Sequence, residues 1–314
     1  MFIKKLIFLS LFIYTFAFAC DEAKTCFDLA EKAYDSSDLK TAAKLYEKAC
    51  ELDYAKACYT LGILHYNSDE KDFKKIFTLW QKACDMNEVF ACTNLAYLYE
   101  TGKGVEKNAT KAKILNEKAC EMKDSFACHN LAISYDELNM LDKAKEIYMK
   151  ACYEMQDGDS CAALAYSYYN KDKNYKKAAV LWQKACDMNR ADACFNLGVL
   201  YEKARGVEKN FSKAKNLYKK ACDMNEARSC NNLGAFYYNA TGVQRDYKKA
   251  YIFYKKSCDM NEAVACKNLA FLYENSMGIE EDIDKATDLY GKACYLGNKE
   301  ACYSYKALVL WFFE

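Results

Sequence analysis

Cysteines are the residues of this sequence with the clearest capacity for chemistry. The chain has 314 residues and 18 cysteines. Sixteen of them form eight pairs, eight positions apart except for one pair at nine: Cys50 with Cys58, Cys84 with Cys92, Cys120 with Cys128, Cys152 with Cys161, Cys186 with Cys194, Cys222 with Cys230, Cys258 with Cys266, and Cys294 with Cys302. Zinc sites favour two to four intervening residues. The wider spacing therefore predicts cross-links, and we expect neither a metal nor a cofactor.

Each pair is expected to form a local disulfide. The first cysteine falls in the last turn of one predicted helix, and the second falls in the first turn of the next. The short connection must reverse the chain, which brings the two Cα atoms near the ~5.5–6 Å that a disulfide prefers. Cys20 and Cys26 remain, and the even total favours a ninth bridge between them. Lipidation of Cys20 is the alternative, because a lipoprotein signal also ends in Ala-Cys.

Two Ser-x-x-Lys segments are the other catalytic pattern in the chain, at Ser37-Asp38-Leu39-Lys40 and Ser212-Lys213-Ala214-Lys215. Serine β-lactamases combine this pattern with Ser-Asp-Asn and Lys-Thr-Gly, and neither companion occurs here. Both segments lie where a helix is expected to begin, which suits a capping serine and a surface lysine. The two histidines, His65 and His129, belong to no visible Ser-His-Asp or Cys-His arrangement. The sequence thus identifies no catalytic residue.

The cysteine pairs mark a structural repeat. First cysteines of successive pairs advance by 32 to 36 residues, a period typical of solenoids built from helix pairs. The segment Ala-Cys-Thr-Asn-Leu-Ala-Tyr-Leu-Tyr-Glu at 91–100 returns at 193–202 as Ala-Cys-Phe-Asn-Leu-Gly-Val-Leu-Tyr-Glu. Its apolar residues recur three and four positions apart, as on one face of a helix, which we call helix A.

A second element, helix B, precedes each first cysteine. In the segment 213–222, Ala214, Leu217 and Ala221 form one apolar stripe. An Asn or Asp stands just before such helices, where its side chain can cap free amides. Since the chain also lacks proline, we predict an all-α fold. We expect eight A–B pairs from Thr25 onward and a final A helix from Ala301.

The two ends of the chain differ from the repeats. Residues 1–19 combine a basic start, an apolar run and Ala17-Phe18-Ala19 before Cys20, which predicts a signal peptide. The apolar run is shorter than the ~20 residues of a membrane-spanning helix. Residues 20–302 are the predicted solenoid. Residues 303–314 form an apolar segment expected to cap the last repeat or, alternatively, to dock in a binding surface.

Charge and cysteine content limit the partners and the cellular compartment that we expect for the protein. The chain has 45 basic and 44 acidic residues, a balance that gives no reason to expect nucleic acid. So many paired cysteines in a chain with a predicted signal peptide favour an oxidising compartment. We expect a soluble exported protein, periplasmic or secreted, without a transmembrane segment.

The repeated text resembles Sel1-like repeats: Ala-Cys-x-Asn-Leu-Gly/Ala-x-Leu-Tyr-Glu, then Gly-Val-Glu-Lys-Asn, then Lys-Ala-x-x-Leu-Tyr-x-Lys-Ala-Cys-Asp-Met-Asn. With its cysteine pairs it is similar to the Helicobacter cysteine-rich protein family. The resemblance covers about residues 25–302 and departs around Asn67 and Asn170, where the glycine turn is missing and the units look like tetratricopeptide repeats. It implies a right-handed α/α superhelix with helix A on its concave face.

The resemblance implies two functions that conflict. Family members are described as secreted proteins that bind a host or envelope partner. They are also classified as penicillin-binding proteins with slow β-lactamase activity. On this basis the ligand is a protein or peptide, or a peptidoglycan-like fragment or β-lactam.

Five asparagines, each one residue before a helix A leucine, are the candidate ligand-binding residues: Asn94, Asn130, Asn196, Asn232 and Asn268. We call them the asparagine ladder. Each side chain offers a donor and an acceptor to a peptide backbone, and the matching position in tetratricopeptide clamps faces the concave groove. Arg228, with Lys56 at the matching position, adds positive charge for a carboxylate. The alternative is that each asparagine bonds within its own repeat.

Three glutamates follow the helix A tyrosine at equivalent positions: Glu100, Glu202 and Glu274. A carboxylate can act as an acid or a base. Their repetition at equivalent positions favours a structural role instead.

Overall fold

The computed structural model describes residues 20–311, so the predicted signal peptide at 1–19 lies outside the described residues. Within that range there are seventeen α-helices and no β-strand. The A helices are α1 (Ala23–Asp35), α3 (Ala55–Asn67), α5 (Val89–Thr101), α7 (Ser125–Glu137), α9 (Gly158–Asn170), α11 (Ala191–Lys203), α13 (Ala227–Asn239), α15 (Ala263–Glu274) and α17 (Lys299–Trp311). The B helices are α2 (Leu39–Glu51), α4 (Phe73–Asp85), α6 (Ala109–Glu121), α8 (Leu141–Glu154), α10 (Tyr175–Asp187), α12 (Phe211–Asp223), α14 (Tyr247–Asp259) and α16 (Ile283–Tyr295). The predicted all-α fold of eight helix pairs and a final A helix is confirmed.

The helices fall into two compact units, one ending at Ile147 and the other beginning at Tyr148. In the first unit, consecutive helices from α1 through α7 pack against one another, and in the second the same holds from α9 through α17. This packing is the α/α solenoid that the repeat period predicts. We number the repeats by their helix pairs, so repeat 1 is α1–α2 and repeat 8 is α15–α16. None of the described helices is long and apolar enough to cross a membrane.

One aromatic side chain of helix B fills the interior of most repeats. It stands four residues before the first cysteine of each pair, and its occupants are Tyr46, Trp80, Tyr148, Trp182, Tyr218, Tyr254 and Tyr290, all buried. The ring packs against the small residue of helix A in the same repeat. A Cβ added to Gly198 would lie 2.7 Å from the Tyr218 ring. Repeat 3 is the exception, because Asn116 occupies this position.

Disulfides join the end of each B helix to the beginning of the next A helix. The predicted junction bridges are all present, with Cα–Cα distances of 4.6 to 4.8 Å. They join Cys50 to Cys58, Cys84 to Cys92, Cys120 to Cys128, Cys152 to Cys161, Cys186 to Cys194, Cys222 to Cys230, Cys258 to Cys266, and Cys294 to Cys302. A ninth bridge joins Cys20 to Cys26 at a Cα–Cα distance of 5.2 Å. These distances lie within the range usual for disulfides, roughly 4.4–6.8 Å, so local cross-linking of adjacent repeats is part of the fold.

Lysines of helix B make a second connection between repeats. Five of them donate from Nζ to the backbone carbonyl of the first cysteine of the preceding pair, at 2.6 to 2.8 Å: Lys82, Lys118, Lys220, Lys256 and Lys292. We call this contact the lysine brace. A cation beside the last carbonyls of a helix satisfies a free acceptor and opposes the negative end of the helix dipole.

The lysine brace is altered at the junction between Cys152 and Cys161. The chain there contains one residue more than at the other junctions, and Gln156 adopts a positive φ of 56°. Lys184, at the brace position of repeat 5, donates to the Gln156 side-chain oxygen at 3.2 Å instead of to the Cys152 carbonyl.

Polar caps begin most B helices, as predicted. Asn210 Oδ1 accepts a hydrogen bond from the Lys213 amide at 2.9 Å, and Asp38 caps α2 in the same way. The two serines thought to cap helices do not. Ser37 lies before the capping Asp38 with a φ of 64°, and Ser212 is the second residue of α12, after its Asn210 cap.

Glycine in the longer A–B turns is required for two reasons. Gly104 has a φ of 72°, which favours glycine. An added Cβ would also lie 2.2 Å from the Phe73 carbonyl oxygen at the beginning of α4. The turn of repeat 3 therefore packs directly on the B helix of repeat 2.

The final helix α17 covers part of the last repeat. Leu308 packs, partly buried, against the apolar core formed by α14–α16, while Tyr303 and Leu310 remain exposed. Residues 312–314 of the predicted C-terminal segment lie outside the described residues.

Candidate binding groove on the A helices

Two cavities in the first unit lie at equivalent places in the repeat, between one A helix, the beginning of its B helix and the next A helix. We call this channel the A-helix groove. The N-terminal cavity, of about 690 Å³, is lined by Tyr34, Leu39 and Thr60, among others. The repeat-3 cavity, of about 370 Å³, is lined by residues that include Glu100, Ala109 and Asn130 at the matching positions. Thr60 and Asn130, which both occupy the ladder position, line this groove.

One ladder asparagine is hydrogen-bonded to the preceding repeat, and two lie near a phenol of that repeat. The Asn268 amide nitrogen donates to Asn231 Oδ1 of α13 at 3.1 Å, which joins two successive repeats. Burial raises the pKa of the Tyr59 phenol of α3, and the nearby Asn94 side chain opposes this rise. Burial likewise raises the pKa of the Tyr218 phenol of α12, and the nearby Asn232 side chain opposes that rise.

The other two ladder asparagines keep their amides available. Within residues 20–311, neither the Asn130 nor the Asn196 side chain hydrogen-bonds another residue. Both side chains are half-buried. Each therefore retains a donor and an acceptor that only water or a ligand can satisfy.

The predicted cationic residues are held by rings of the preceding A helix. The Arg228 guanidinium lies 4.2 Å from the centre of the Phe195 ring, and its Nε donates to Glu226 Oε1 at 2.6 Å. Lys56, at the same place in repeat 2, lies with its ammonium 5.0 Å from the centre of the Phe27 ring. Both charged side chains are exposed. Stacking of this kind contributes about 0.5–1 kcal/mol at exposed sites, and it orients each cation without burying it.

The repeated glutamates accept hydrogen bonds from helix B. Glu202 Oε2 accepts from the Tyr218 phenol and Glu274 Oε2 from the Tyr290 phenol, each at 2.7 Å. Burial raises the pKa of both phenols, and the neighbouring carboxylates raise it further. This geometry supports the structural interpretation of the glutamates in repeats 6 and 8.

Repeat 3 has a different partner for its glutamate. Asn116 Nδ2 donates to Glu100 Oε1 at 3.3 Å. Burial raises the pKa of Glu100, and the charge of Glu137 adds to this effect. The Asn116 carbonyl oxygen is buried and has no hydrogen-bond partner in the described part of the chain.

The candidate catalytic groups are not assembled into one site. His65 lines the N-terminal cavity, where burial and then the charge of Lys75 lower its pKa. Lys40 lines the same cavity, but Ser37 does not. Ser37 and Ser212 are both exposed.

Sequence reasoning overlooked the repeat-3 cavity and the lysine brace. The cavity had a visible signal, since Asn116 is the only non-aromatic residue at its position in the eight repeats. The brace lysines also stand at one repeated position, two residues before each first cysteine. Their partner, a backbone carbonyl 32 or 34 residues earlier, cannot be read from the repeat pattern.

The model of the Sel1 repeat matches seven segments of the chain: 26–54, 55–88, 89–124, 158–189, 191–226, 227–262 and 263–298. The repeats near Asn67 and Asn170, whose A–B turns lack glycine, are among them. The unmatched segment is 125–157, which contains α7, α8 and the first cysteine of the nine-residue junction. No curated protein matches the chain.

Several solved structures are similar. A Sel1 repeat protein from Oxalobacter formigenes shows a TM-score of 0.80 at 20% identity, over 96% of this chain and 91% of that chain. The protective antigen c5321 of uropathogenic Escherichia coli, which displays an SLR fold, shows a TM-score of 0.80 at 22% identity, over 92% of this chain and 65% of its own. The cysteine-rich protein B of Helicobacter pylori is 30% identical over 43% of this chain and 97% of its own, with a TM-score of 0.35.

Proposed function

The chain belongs to the Sel1 repeat family, and from that premise we propose that it is an exported scaffold that binds an extended peptide segment along the A-helix groove. A Sel1-repeat scaffold is suited to protein binding. The observation that carries the proposal is that Asn130 in the first unit and Asn196 in the second each keep an unpaired, half-buried amide at the ladder position. An extended peptide bound within one unit presents backbone donors and acceptors that match the asparagine of that unit.

Apolar side chains beside the ladder strengthen the proposal. The residue three positions after each ladder position lies on the same face of helix A. In four repeats this residue is large, apolar and exposed: Tyr97, Ile133, Tyr166 and Phe271, with 37 to 60% of each accessible. Ile133 also lines the repeat-3 cavity. A polar track flanked by exposed apolar groups can hold a peptide backbone and select its side chains.

The magnitudes assign different roles to the two rows. A net hydrogen bond contributes about 0.5–1.5 kcal/mol, so two asparagines alone give weak binding. Burying one exposed aromatic or aliphatic side chain contributes about 1.5–3 kcal/mol. The apolar row therefore supplies most of the affinity, and the asparagines fix the direction and register of the peptide.

The nine disulfides support export. Bridges persist in oxidising compartments such as the periplasm or the extracellular space. Together with the signal-like residues 1–19, they favour either location. A cell-wall fragment with a peptide stem presents the same backbone groups as a free peptide and is included in the proposed ligand class.

To test the proposal, phage-displayed peptides of about 12 residues are selected for binding to the oxidised protein. Fluorescence polarisation then measures the affinity of each selected peptide. Asn130→Ala and Asn196→Ala together should weaken the selected peptide by roughly 3–10-fold, since the hydrogen bond to one asparagine is lost in whichever unit binds it. Far-UV circular dichroism should not change. Asn216→Ala, on the exposed face of α12, is the matched control and should leave the affinity unchanged.

Equal affinity of the double variant, or selection of peptides that bind equally after Tyr97 and Tyr166 are replaced by serine, would exclude the groove as the binding site. The same preparation should be assayed for β-lactam turnover with Ser37→Ala and Ser212→Ala variants. Turnover that falls with either variant would make the chain an enzyme instead.

A further inference from the structure

Three aromatic side chains at and after repeat 6 have small or polar counterparts at and after repeat 3. Phe211 and Tyr218 of repeat 6 and Phe236 of the next A helix pack around one point, with Phe236 at 6.0 Å from Phe211 and 5.6 Å from Tyr218 between ring centroids. The residues at the same three positions are Ala109 and Asn116 of repeat 3 and Ser134 of the next A helix. The repeat-3 cavity, lined by Ala109 and Ser134, lies where repeat 6 is filled. The cavity is thus built by substitution within an otherwise regular repeat.

The cavity is lined by two glutamates, one lysine, two uncharged polar residues and two apolar residues. Glu100, Asn130 and Ser134 are half-buried in the interior, while Lys107 and Glu137 are exposed at the rim. Burial raises the pKa of Glu100, and the charge of Glu137 raises it further because the two carboxylates repel each other. A positively charged ligand relieves that repulsion, whereas an anion increases it.

A fully buried group beside the cavity also lacks a partner. Asn116 is 0% exposed, donates to Glu100, and leaves its carbonyl oxygen without a hydrogen bond in the described residues. In repeats 6 and 8 a tyrosine phenol satisfies the equivalent glutamate and leaves no such acceptor. An unpaired buried acceptor costs about 1–3 kcal/mol.

We propose that the repeat-3 cavity binds a protonated primary amine, as found on a lysine side chain or at the amino terminus of a peptide. The inference rests on the proposed peptide-binding function and specifies the anchor of that ligand. A primary ammonium group carries three donors and no acceptor. The Glu100 carboxylate, the Asn130 amide oxygen and the Ser134 hydroxyl are three acceptors on the wall of one cavity of about 370 Å³.

The test uses small probes observed by ¹H–¹⁵N NMR titration of the oxidised mature protein. Nα-acetyl-lysine methylamide represents the side-chain amine, and alanine methylamide represents the amino terminus. Nα,Nε-diacetyl-lysine methylamide is the neutral control. One or both amines should shift the amides of residues 100–137, and acetylation should weaken binding at least tenfold. Which amine binds identifies the source, and failure of both overturns the proposal.

Variants locate the amine. Glu100→Gln keeps an acceptor for Asn116 but removes the charge, so amine binding should weaken by about tenfold or more. The triple variant Ala109→Phe, Asn116→Tyr, Ser134→Phe fills the cavity with the residues of repeat 6, and binding should be lost with helicity retained. Glu202→Gln in repeat 6 is the matched control and should have no effect. Binding that survives the triple variant would place the amine elsewhere and contradict the proposal.

Failure of this pocket can be told apart from failure of the groove. Phage-selected peptides whose binding depends on Asn196 but not on Glu100 would contradict the amine pocket and support the peptide groove. Amine binding at repeat 3 without any Asn196-dependent peptide would support the amine pocket and contradict the peptide groove.

Discussion

Repeats 3 and 6 share the same turn, cap and connections to neighbouring repeats, but they differ in the side chains of their interiors. Both have a glycine in the A–B turn, an asparagine cap before helix B, a junction disulfide and a lysine brace. Repeat 6 and the A helix after it bury a tyrosine between two phenylalanines, whereas repeat 3 and the A helix after it have alanine, asparagine and serine at these positions, beside a cavity. The connections between repeats therefore maintain the fold when the interior of one repeat changes, which frees that interior for ligand binding.

The largest expected effect is on stability and follows from removing the aromatic ring that fills the interior of repeat 6. Tyr218→Ala removes a fully buried ring and its hydrogen bond to Glu202, and should cost about 3–5 kcal/mol by analogy with other aromatic truncations. Asn116→Ala removes one hydrogen bond and an unpaired acceptor, and should cost no more than about 1 kcal/mol. Urea unfolding of the oxidised proteins measures both changes. Equal losses would mean that the interior of repeat 3 is as important for stability as that of repeat 6.

The lysine brace gives the next largest effect and should be the same in both repeats. Lys118→Met and Lys220→Met each remove a charged donor from a helix-terminal carbonyl, and each should cost about 1–2 kcal/mol. Lys184→Met is the matched control, because Lys184 bonds a flexible side-chain oxygen at 3.2 Å and should cost below about 0.5 kcal/mol. Thermal unfolding compares the three variants. A Lys184 effect as large as the others would show that the backbone carbonyl is not the important acceptor.

The smallest effect concerns pH and is specific to repeat 3. Burial raises the folded-state pKa of Glu100 above its ordinary value of 4.5. Such a group contributes stability that is fully present below the unfolded pKa and is lost as pH rises through the folded pKa. Glu100→Gln cannot titrate, so its melting temperature relative to that of the unmodified protein should rise as pH increases from about 4 to 7. A difference for Glu100→Gln that falls or stays level between about pH 4 and 7 would contradict the direction given for the pKa of Glu100.

The sequence predicted the features that depend on nearby residues. Helix periodicity, the caps of α2 and α12 and the disulfides across eight- or nine-residue connections involve groups close together in the chain. Their geometry follows from local rules, so the helix pairs and the junction bridges could be assigned without a structure. Of the five ladder asparagines, Asn130 lines the repeat-3 cavity, and the ligand-binding role of all five stays a prediction.

The tertiary structure decided which groups meet across a whole repeat. It directed Asn268 to the preceding repeat, left Asn196 unpaired, and placed the brace lysines on carbonyls about one repeat earlier. It also showed that Ala109, Asn116 and Ser134, on two helices, leave one shared space. These outcomes depend on how successive helices pack. The contacts involved join groups some 34 residues apart in the chain. A repeat period fixes which positions are equivalent, whereas only packing decides what each position touches.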